Sequence, residues 1–496
     1  MNEKKISDLS KLFESRGYNP VVGTIYRLQQ LWLAWYRGEV DGFHNYTKKT
    51  MSGVLINKHK PSLQLAKLVA EAWASLLWSE KVELLAGAAQ DKVNDVLVAN
   101  NFNTEMANFM ELSGTFGTGV LIEYLAENEV KINFVYGDKI LVIDYDNTTI
   151  KGIAVIQEFQ KDKINYTHVM IHTTKNGKYR IEHEMYAIKT GTGLGKPASL
   201  GVLFDDKELK AMRHIEKDAY GENYAVYYFE YDSEPHFQVF KPAITNNWDV
   251  KSPMGIAYIA NAIAALQGAD DINYAMDRDA ILSMKKIFID DMSTKLYKTK
   301  NANGDIEYKK YFDESEDVYQ VLAGMAKEGS DAMKSFAPGY DSTSHIQAIK
   351  FKIDLVSFLC GLGTDYFSFE NGSVYVNELN IMSSNSDTWR NRQKHLNNLY
   401  PVLIGMMKSI VFLLREVGGY SGEDPEYDVK FDDSIIEDNT SNLTALKQDA
   451  MDGIIPSYMY IMAKYKVDKE TALGLIAESK EENKIDYNDV IPDDEE

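Results

Sequence analysis

Three groups of residues in this chain have types and spacings that could do chemistry. Gly191-Thr-Gly-Leu-Gly-Lys196 has the composition of a loop whose backbone N–H groups cradle phosphate. The phosphate-loop pattern also needs a glycine where Thr190 stands and a Ser or Thr where Pro197 stands, so the stretch reads as a β-turn. Gly114-Thr-Phe-Gly-Thr-Gly119 resembles a dinucleotide fingerprint, but it follows a helix pattern and opens a strand, the reverse of what that site requires. His168 and His172 are four apart in a predicted strand, where they share a face without forming a helical metal pair. The single cysteine, Cys360, sits in the apolar run Leu355-Val356-Ser357-Phe358-Leu359 and reads as a buried structural thiol. No Gly-x-Ser-x-Gly elbow occurs, and the many carboxylates are spread without an evident acid/base pair. The expectation is a protein without a catalytic, cofactor or metal site.

The chain has 496 residues, a formal charge of -21, and 45% hydrophobic and 11% aromatic content. That length predicts two to four structural regions, and the apolar share supports a folded core. The acidity excludes a protein that grips DNA along its whole surface, because such grip needs Lys and Arg to displace counterions. Its plain reading is solubility, and it becomes informative only if DNA must slide past without sticking. The N-terminus is polar, and the best apolar run, Pro401 to Val417, contains Lys408 and Arg415. The expectation is a soluble, intracellular chain with no membrane span.

Periodicity divides the chain. Residues 1 to about 125 read as helical, with Leu65, Leu68, Val69, Trp73, Leu76 and Leu77 on one face. From 130 to 240 the period is two, as in Lys131–Tyr136, Ile153–Phe159, Tyr166–His172, Tyr179–Ala187 and Tyr224–Tyr231, which predicts a β-rich region. Residues 252–286 read as one long helix, capped by Ser252 with Pro253 in its first turn and striped from Ile256 to Met284. Residues 287–343 form a small α/β insert with a hairpin about Asn301–Asp305. A second helix at 345–362 carries Ile346, Ile349, Ile353 and Val356 on one face and ends at Gly361 and Gly363. After the aperiodic stretch 364–384, a helix from Asp387 to Val417 contains Pro401, which predicts a kink. An acidic extended segment and C-terminal helices follow, closing on Ile491-Pro-Asp-Asp-Glu-Glu496.

The region from Ser252 to Asp438 resembles the portal proteins of tailed bacteriophages, in particular the group from long-tailed phages of Gram-positive bacteria. Three pieces carry the resemblance: Ser252-Pro-Met-Gly255 leading through Ala269-Asp-Asp-Ile-Asn-Tyr-Ala-Met-Asp277; Phe358-Leu-Cys-Gly-Leu-Gly-Thr-Asp-Tyr-Phe-Ser-Phe369 with Asn377-Glu378 and Ser384–His395; and Val429-Lys-Phe-Asp-Asp-Ser434. The early Trp35-Tyr-x-Gly38 also fits. Tyr375-Val-Asn-Glu378 departs from the Thr-Ala-Thr-Glu usual in the family.

The resemblance implies an α+β portal fold: a wing at 1–250 (helical 1–125, β-rich 130–240), stem helices at 252–286 and 345–362, a clip at 287–343, a tunnel loop region at 364–384, a kinked wing helix and extended segment at 385–438, and a crown with acidic tail at 439–496. It implies a self-assembled ring, typically of about twelve subunits, at the unique portal vertex of a virion and assembled in the bacterial host cytoplasm. Its partners would be double-stranded DNA without sequence preference, the terminase large subunit, a head–tail connector or adaptor, and the major capsid and scaffolding proteins. Tyr366, Phe367, Phe369, Asn371, Gly372 and Ser373 would belong to the DNA-facing tunnel loop. Asp270, Asp271 and Asp277 are candidates for the channel lining. Two other readings stay open: another virion structural protein, and a metal-dependent nucleic-acid-processing enzyme.

Overall fold

The computed structural model describes residues 3–21, 23–49, 53–79, 82–175, 178–204, 208, 214–217, 223–229, 235–284, 286–290, 296–300, 306–310, 319–322, 333–336, 339–364, 366–367, 387–431, 446–465 and 467–485. Helices and strands are mixed and largely segregated, an α+β arrangement.

The N-terminal third supplies helices α1 (Glu3–Ser15), α2 (Thr24–Arg37), α3 (Leu65–Leu77), α4 (Gln90–Ala99) and α5 (Phe102–Phe116). Their apolar faces bury Phe13, Trp32, Trp35, Trp73 and Phe109 completely or nearly so. The region is not wholly helical, as its periodicity predicts. Strands β1 (Asn45–Lys49) and β2 (Leu55–His59) form a hairpin inside it, and β3 (Glu83–Leu85) and the start of β4 (Gly119–Ala126) also fall before residue 125. The hairpin is short and polar, so it leaves no apolar alternation to read.

The β region follows with β5 (Glu129–Tyr136), β6 (Ile140–Asp146), β7 (Thr149–Lys161), β8 (Ile164–Lys175), β9 (Lys178–Ile188), β10 (Lys196–Pro197), β11 (His214–Lys217), β12 (Asn223–Phe229) and β13 (Phe237–Phe240). One sheet runs β11-β12-β9-β8-β7-β6 with β10 beside β9, and a second runs β13-β4-β5. Two-residue turns with both residues at positive φ, Glu127-Asn128 and Asp162-Lys163, make the tight antiparallel reversals. The five strands predicted here are present; β4, β6, β10, β11 and β13 are additional.

The first rod, α6, spans Ile263–Leu282, not 252–286. Residues 252–262 run as turns pressed against the α5–β4 junction. The Tyr258 N–H donates to the Gly114 carbonyl at 3.0 Å and the Gly255 N–H to Thr118 Oγ1 at 3.1 Å. Gly117, at φ +75, lets the Ile256 backbone come so close that a Cβ there would lie 2.4 Å from the Ile256 carbonyl carbon. These outside partners claim the backbone groups that a helix would use. Ser252 caps a turn instead, accepting from the Met254 N–H.

The insert contributes β14 (Lys286–Asp290), the hairpin β15 (Leu296–Lys300) with β16 (Ile306–Lys310), β17 (Tyr319–Leu322) and β18 (Met333–Phe336). β14 pairs parallel with β17 and antiparallel with β18. The second rod, α7 (Ser342–Leu359), starts at Asp341, whose carboxylate accepts from the Ser344 N–H. Gly361 and Gly363, both at positive φ, end it. The long helix α8 (Asp387–Glu416) follows, then β19 (Asp428–Lys430), which pairs with β3, and helices α9 (Ser457–Tyr465) and α10 (Lys469–Ile485). Among the described residues α8 alone is long and apolar enough to cross a bilayer. It lies on β13 and β4 and buries Leu396, Leu399, Leu403, Met406 and Ile410 there. Pro401 sits within it on the exposed face.

Candidate functional site

The sequence motifs with possible chemistry resolve into structural roles. Gly191 and Gly195 take positive φ in a turn that brings β10 back onto β9. The shallow cleft beside it, about 300 Å³, contains Lys5, whose ammonium is engaged by Glu158 and Thr167. Gly114–Gly119 is the junction between α5 and β4. His168 stacks on His183, with Nε2 to Nδ1 at 3.1 Å, while His172 Nδ1 faces the Tyr179 hydroxyl at 2.6 Å. Burial lowers His168 to about 4 and His172 to about 3. Among the described residues no three His, Cys, Asp or Glu side chains gather where a metal could sit. Cys360 is buried, and burial pushes its thiol up to about 12, far from a reactive thiolate.

The feature that stands out is the rod pair α6–α7. The helices run antiparallel: His345 at the start of α7 meets Asp279 near the end of α6 at 3.0 Å, and Gly268 near the start of α6 lies against the Lys352 stem. Each rod is rooted in the body. At the foot of α6, Asp270 is buried; its Oδ2 lies 3.0 Å from His44 Nε2 and its Oδ1 accepts from the Leu63 N–H at 2.8 Å. Its neighbour Asp271 is exposed and pairs with Lys60, whose ammonium lies 3.9 Å from the Phe43 ring centroid. At the foot of α7, the Cys360 carbonyl accepts from Trp73 Nε1 at 3.0 Å and the Gly361 carbonyl from Asn391 Nδ2 at 3.0 Å. Trp73, Tyr258 and His395 pack there as an aromatic cluster, joining α3, the turn segment and α8. The Ala243 N–H donates to His395 Nδ1, and burial lowers this histidine to about 3, so it is neutral at pH 7.

Away from the roots the rods are uncovered. α7 buries only Ile353, Val356 and Ser357. Ile346 (56% exposed), Phe351 (63%) and Phe358 (55%) face outward, with Leu359 beside them and Ile281, Leu282 and Met284 exposed at the end of α6. Phe351 and Phe358, seven apart, lie off the Ile346–Val356 stripe that periodicity picks out. They form a second apolar face, and that spacing was the available signal.

The predicted site residues separate. Asp271 and Asp277 are exposed on α6. Asp270 is buried, with its carboxylate held by His44 and the Leu63 N–H inside one chain. Tyr366 and Phe367 meet edge to face at 5.0 Å and are buried in the body core. Phe369, Asn371, Gly372 and Ser373 lie outside the described residues.

A different polar group is buried where α8 crosses β4 and β13. Glu123 is fully buried, and among the described residues neither carboxyl oxygen has a hydrogen-bond partner. Beside it the Ser409 hydroxyl bonds His236 Nδ1 at 2.6 Å, and the Glu123 N–H donates to the His236 carbonyl. Burial raises the Glu123 carboxyl to about 8, and the nearby Ser409 offsets only part of this. The group is sealed from substrate and reads as a buried neutral acid.

No family model matches the chain, and no curated protein matches it. Among solved structures it is similar to a chain in the "neck of native GTA particle computed with C12 symmetry", with 12% identity, 90% of this chain and 95% of that one covered, and a TM-score of 0.39.

Proposed function

We propose that the chain is a virion structural subunit, specifically a portal protein that closes into a ring and gives double-stranded DNA a channel. The observation that carries this reading is the rod pair, rooted firmly at one end and presenting Ile281, Leu282, Ile346, Phe351 and Phe358 to solvent along the rest. Contiguous apolar surface of this kind marks an interaction face. Each such side chain gains ~1.5–3 kcal/mol when fully buried. A copy related by rotation offers cover at every position, and closure leaves no open interface. The resemblance at Ser252–Asp438 supports the same arrangement, with α6 and α7 as stem, the small sheet of β14, β17 and β18 as clip and α8 as the wing helix, kinked at Pro401.

In that ring the exposed carboxylates Asp271 and Asp277 belong to the channel side. There they keep phosphates from adhering while a motor moves the duplex. The chain itself would not be an enzyme; the terminase large subunit would supply the energy. The insert would meet the terminase and later the connector, and the region 364–384 would carry the tunnel loop. Capsid and scaffolding proteins would surround the wing at the portal vertex.

Electron microscopy of the purified full-length protein tests the reading. The expected particle is a centrally perforated ring of about a dozen subunits. Sheets or closed shells would point instead to a shell protein, and a persistent lone protomer would end the ring reading.

A further inference from the structure

The β1–β2 hairpin lies outside everything the stem argument uses. Its two strands pair from Asn45↔His59 to Lys49↔Leu55, and only Tyr46 among their residues is partly covered. Leu55 is 67% and Ile56 39% exposed. A two-stranded ribbon with both faces in water is marginal by itself. This one is nevertheless held at its base: His44 reaches Asp270, Lys60 reaches Asp271, and the Val40 N–H donates to His44 Nδ1. The ribbon is therefore aimed from the foot of α6.

Its charge is opposite to that of the rest of the molecule. Between Asp41 and Glu71 the chain has Lys48, Lys49, Lys58, Lys60 and Lys67 and no acidic residue, within a protein of net charge -21. Lys60 and Lys67 have carboxylate partners in Asp271 and Glu71, whereas Lys48, Lys49 and Lys58 have no ion-pair partner among the described residues. The complementary surface is on the same chain. Glu423, Asp424, Glu426 and Asp428 are all exposed in one extended segment. That segment is held in place, because Pro425 packs at Gly87 and β19 pairs with β3. Its strand β19 packs on β3 and on α8.

We propose that the β1–β2 ribbon is a docking arm that seats on the 423–428 segment of a second copy. Lys48, Lys49 and Lys58 would meet its carboxylates, and Leu55 and Ile56 would be covered. A patch and its complement at different places on one chain make a heterologous contact, the kind that a closed ring repeats. The inference rests on the ring reading and adds a second, electrostatic interface to the apolar one. A nucleic-acid partner would use the lysines but would leave Leu55 and Ile56 without cover, so a protein surface fits the whole ribbon better.

The test uses the full chain and follows ring dissociation by mass photometry as NaCl is raised. The triple variant Lys48→Glu/Lys49→Glu/Lys58→Glu should weaken the ring by about tenfold, since exposed rim pairs are individually weak and are screened by salt. Adding Glu423→Lys/Glu426→Lys to it should restore most of that loss. All changed residues are exposed, so the thermal midpoint of the protomer checks that folding is intact. A triple variant as stable a ring as the parent overturns the arm, and so does a loss that the reciprocal changes leave unrepaired. A further overturning result is an unchanged ring that has lost retention of a 30-base-pair duplex in a gel shift, which would assign the lysines to nucleic acid. A parent that never forms rings fails at the earlier step, the ring reading itself.

Discussion

The long helix α8 and the rod α7 are both amphipathic and both rooted near Trp73, yet they end in opposite conditions. α8 lies across β13 and β4 and buries apolar side chains over nearly its whole length, from Leu396 to Leu414. α7 buries Ile353 and Val356 against its own chain and leaves Phe351 and Phe358 more than half exposed. The difference is in what the chain folds over each helix, not in how apolar the helix is. One is a protomer's core element, whereas the other is half of a core that a single chain does not complete.

The sharpest way to break this comparison is to put charge on the uncovered face. Phe351→Asp/Phe358→Asp should abolish ring assembly in sedimentation velocity, because a carboxylate at a closed apolar seam is desolvated in every copy. The same double change should shift the protomer's denaturant midpoint little, because surface positions usually stay within about 0.5 kcal/mol. Leu403→Ala in α8 should do the reverse and cost the protomer ~2–5 kcal/mol. If the double variant unfolds the protomer instead, the rod face is already covered within one chain and the contrast disappears.

The next test concerns the foot of α6. Asp270→Ala leaves His44 and the Leu63 N–H buried without their carboxylate, and should cost ~3 kcal/mol in urea unfolding. Asp277→Ala, on the same helix but exposed, should change stability by less than about 0.5 kcal/mol. Equal effects at the two positions would mean that the root is no stiffer than the tip.

Much of the fold was legible where an element is long and one-sided. The stripe Leu396–Leu413 and the alternation at Tyr166–His172 each predicted an element close to the observed one. The hairpin 45–59 was not legible, because it is short and its polar residues are broken only by Leu55 and Ile56, one on each face. Residues 252–262 were misread for a different reason. Their spacing suits a helix, but backbone contacts from Gly114, Gly117 and Thr118 bind them first, and no local pattern reports a contact more than a hundred residues away. Of the candidate site, Asp271 and Asp277 were placed on the surface as the spacing suggests. Asp270 looked the same in sequence, and only His44, 226 residues earlier, sets it apart. The buried group at Glu123 left no trace either: in the strand β4 an inward glutamate is one letter among apolar neighbours.

That glutamate provides the mildest test, and it bears on how α8 is held to the body. Its carboxyl is neutral in the folded protein up to about pH 8, whereas in the unfolded chain it ionises near its ordinary 4.5. Between those values the folded state therefore holds a proton that the unfolded state has released. The contribution of Glu123 to stability falls as pH rises through this window and levels off above it. The limiting slope is about 1.4 kcal/mol per pH unit, softened wherever water or a small shift of Ser409 and His236 can relieve the charge. Glu123→Gln keeps the shape and removes the ionisation, so the urea stability of the parent relative to this variant should fall by about 1 kcal/mol per unit from pH 6 to 8. His168, His172 and His395, with folded values lowered to about 4, 3 and 3, act in the opposite sense as pH drops through 6.5, equally in both proteins, and cancel in that difference. A difference that is flat between pH 6 and 8 would mean that Glu123 reaches solvent or a cation, and that α8 sits less tightly on β4 and β13 than its buried leucines indicate.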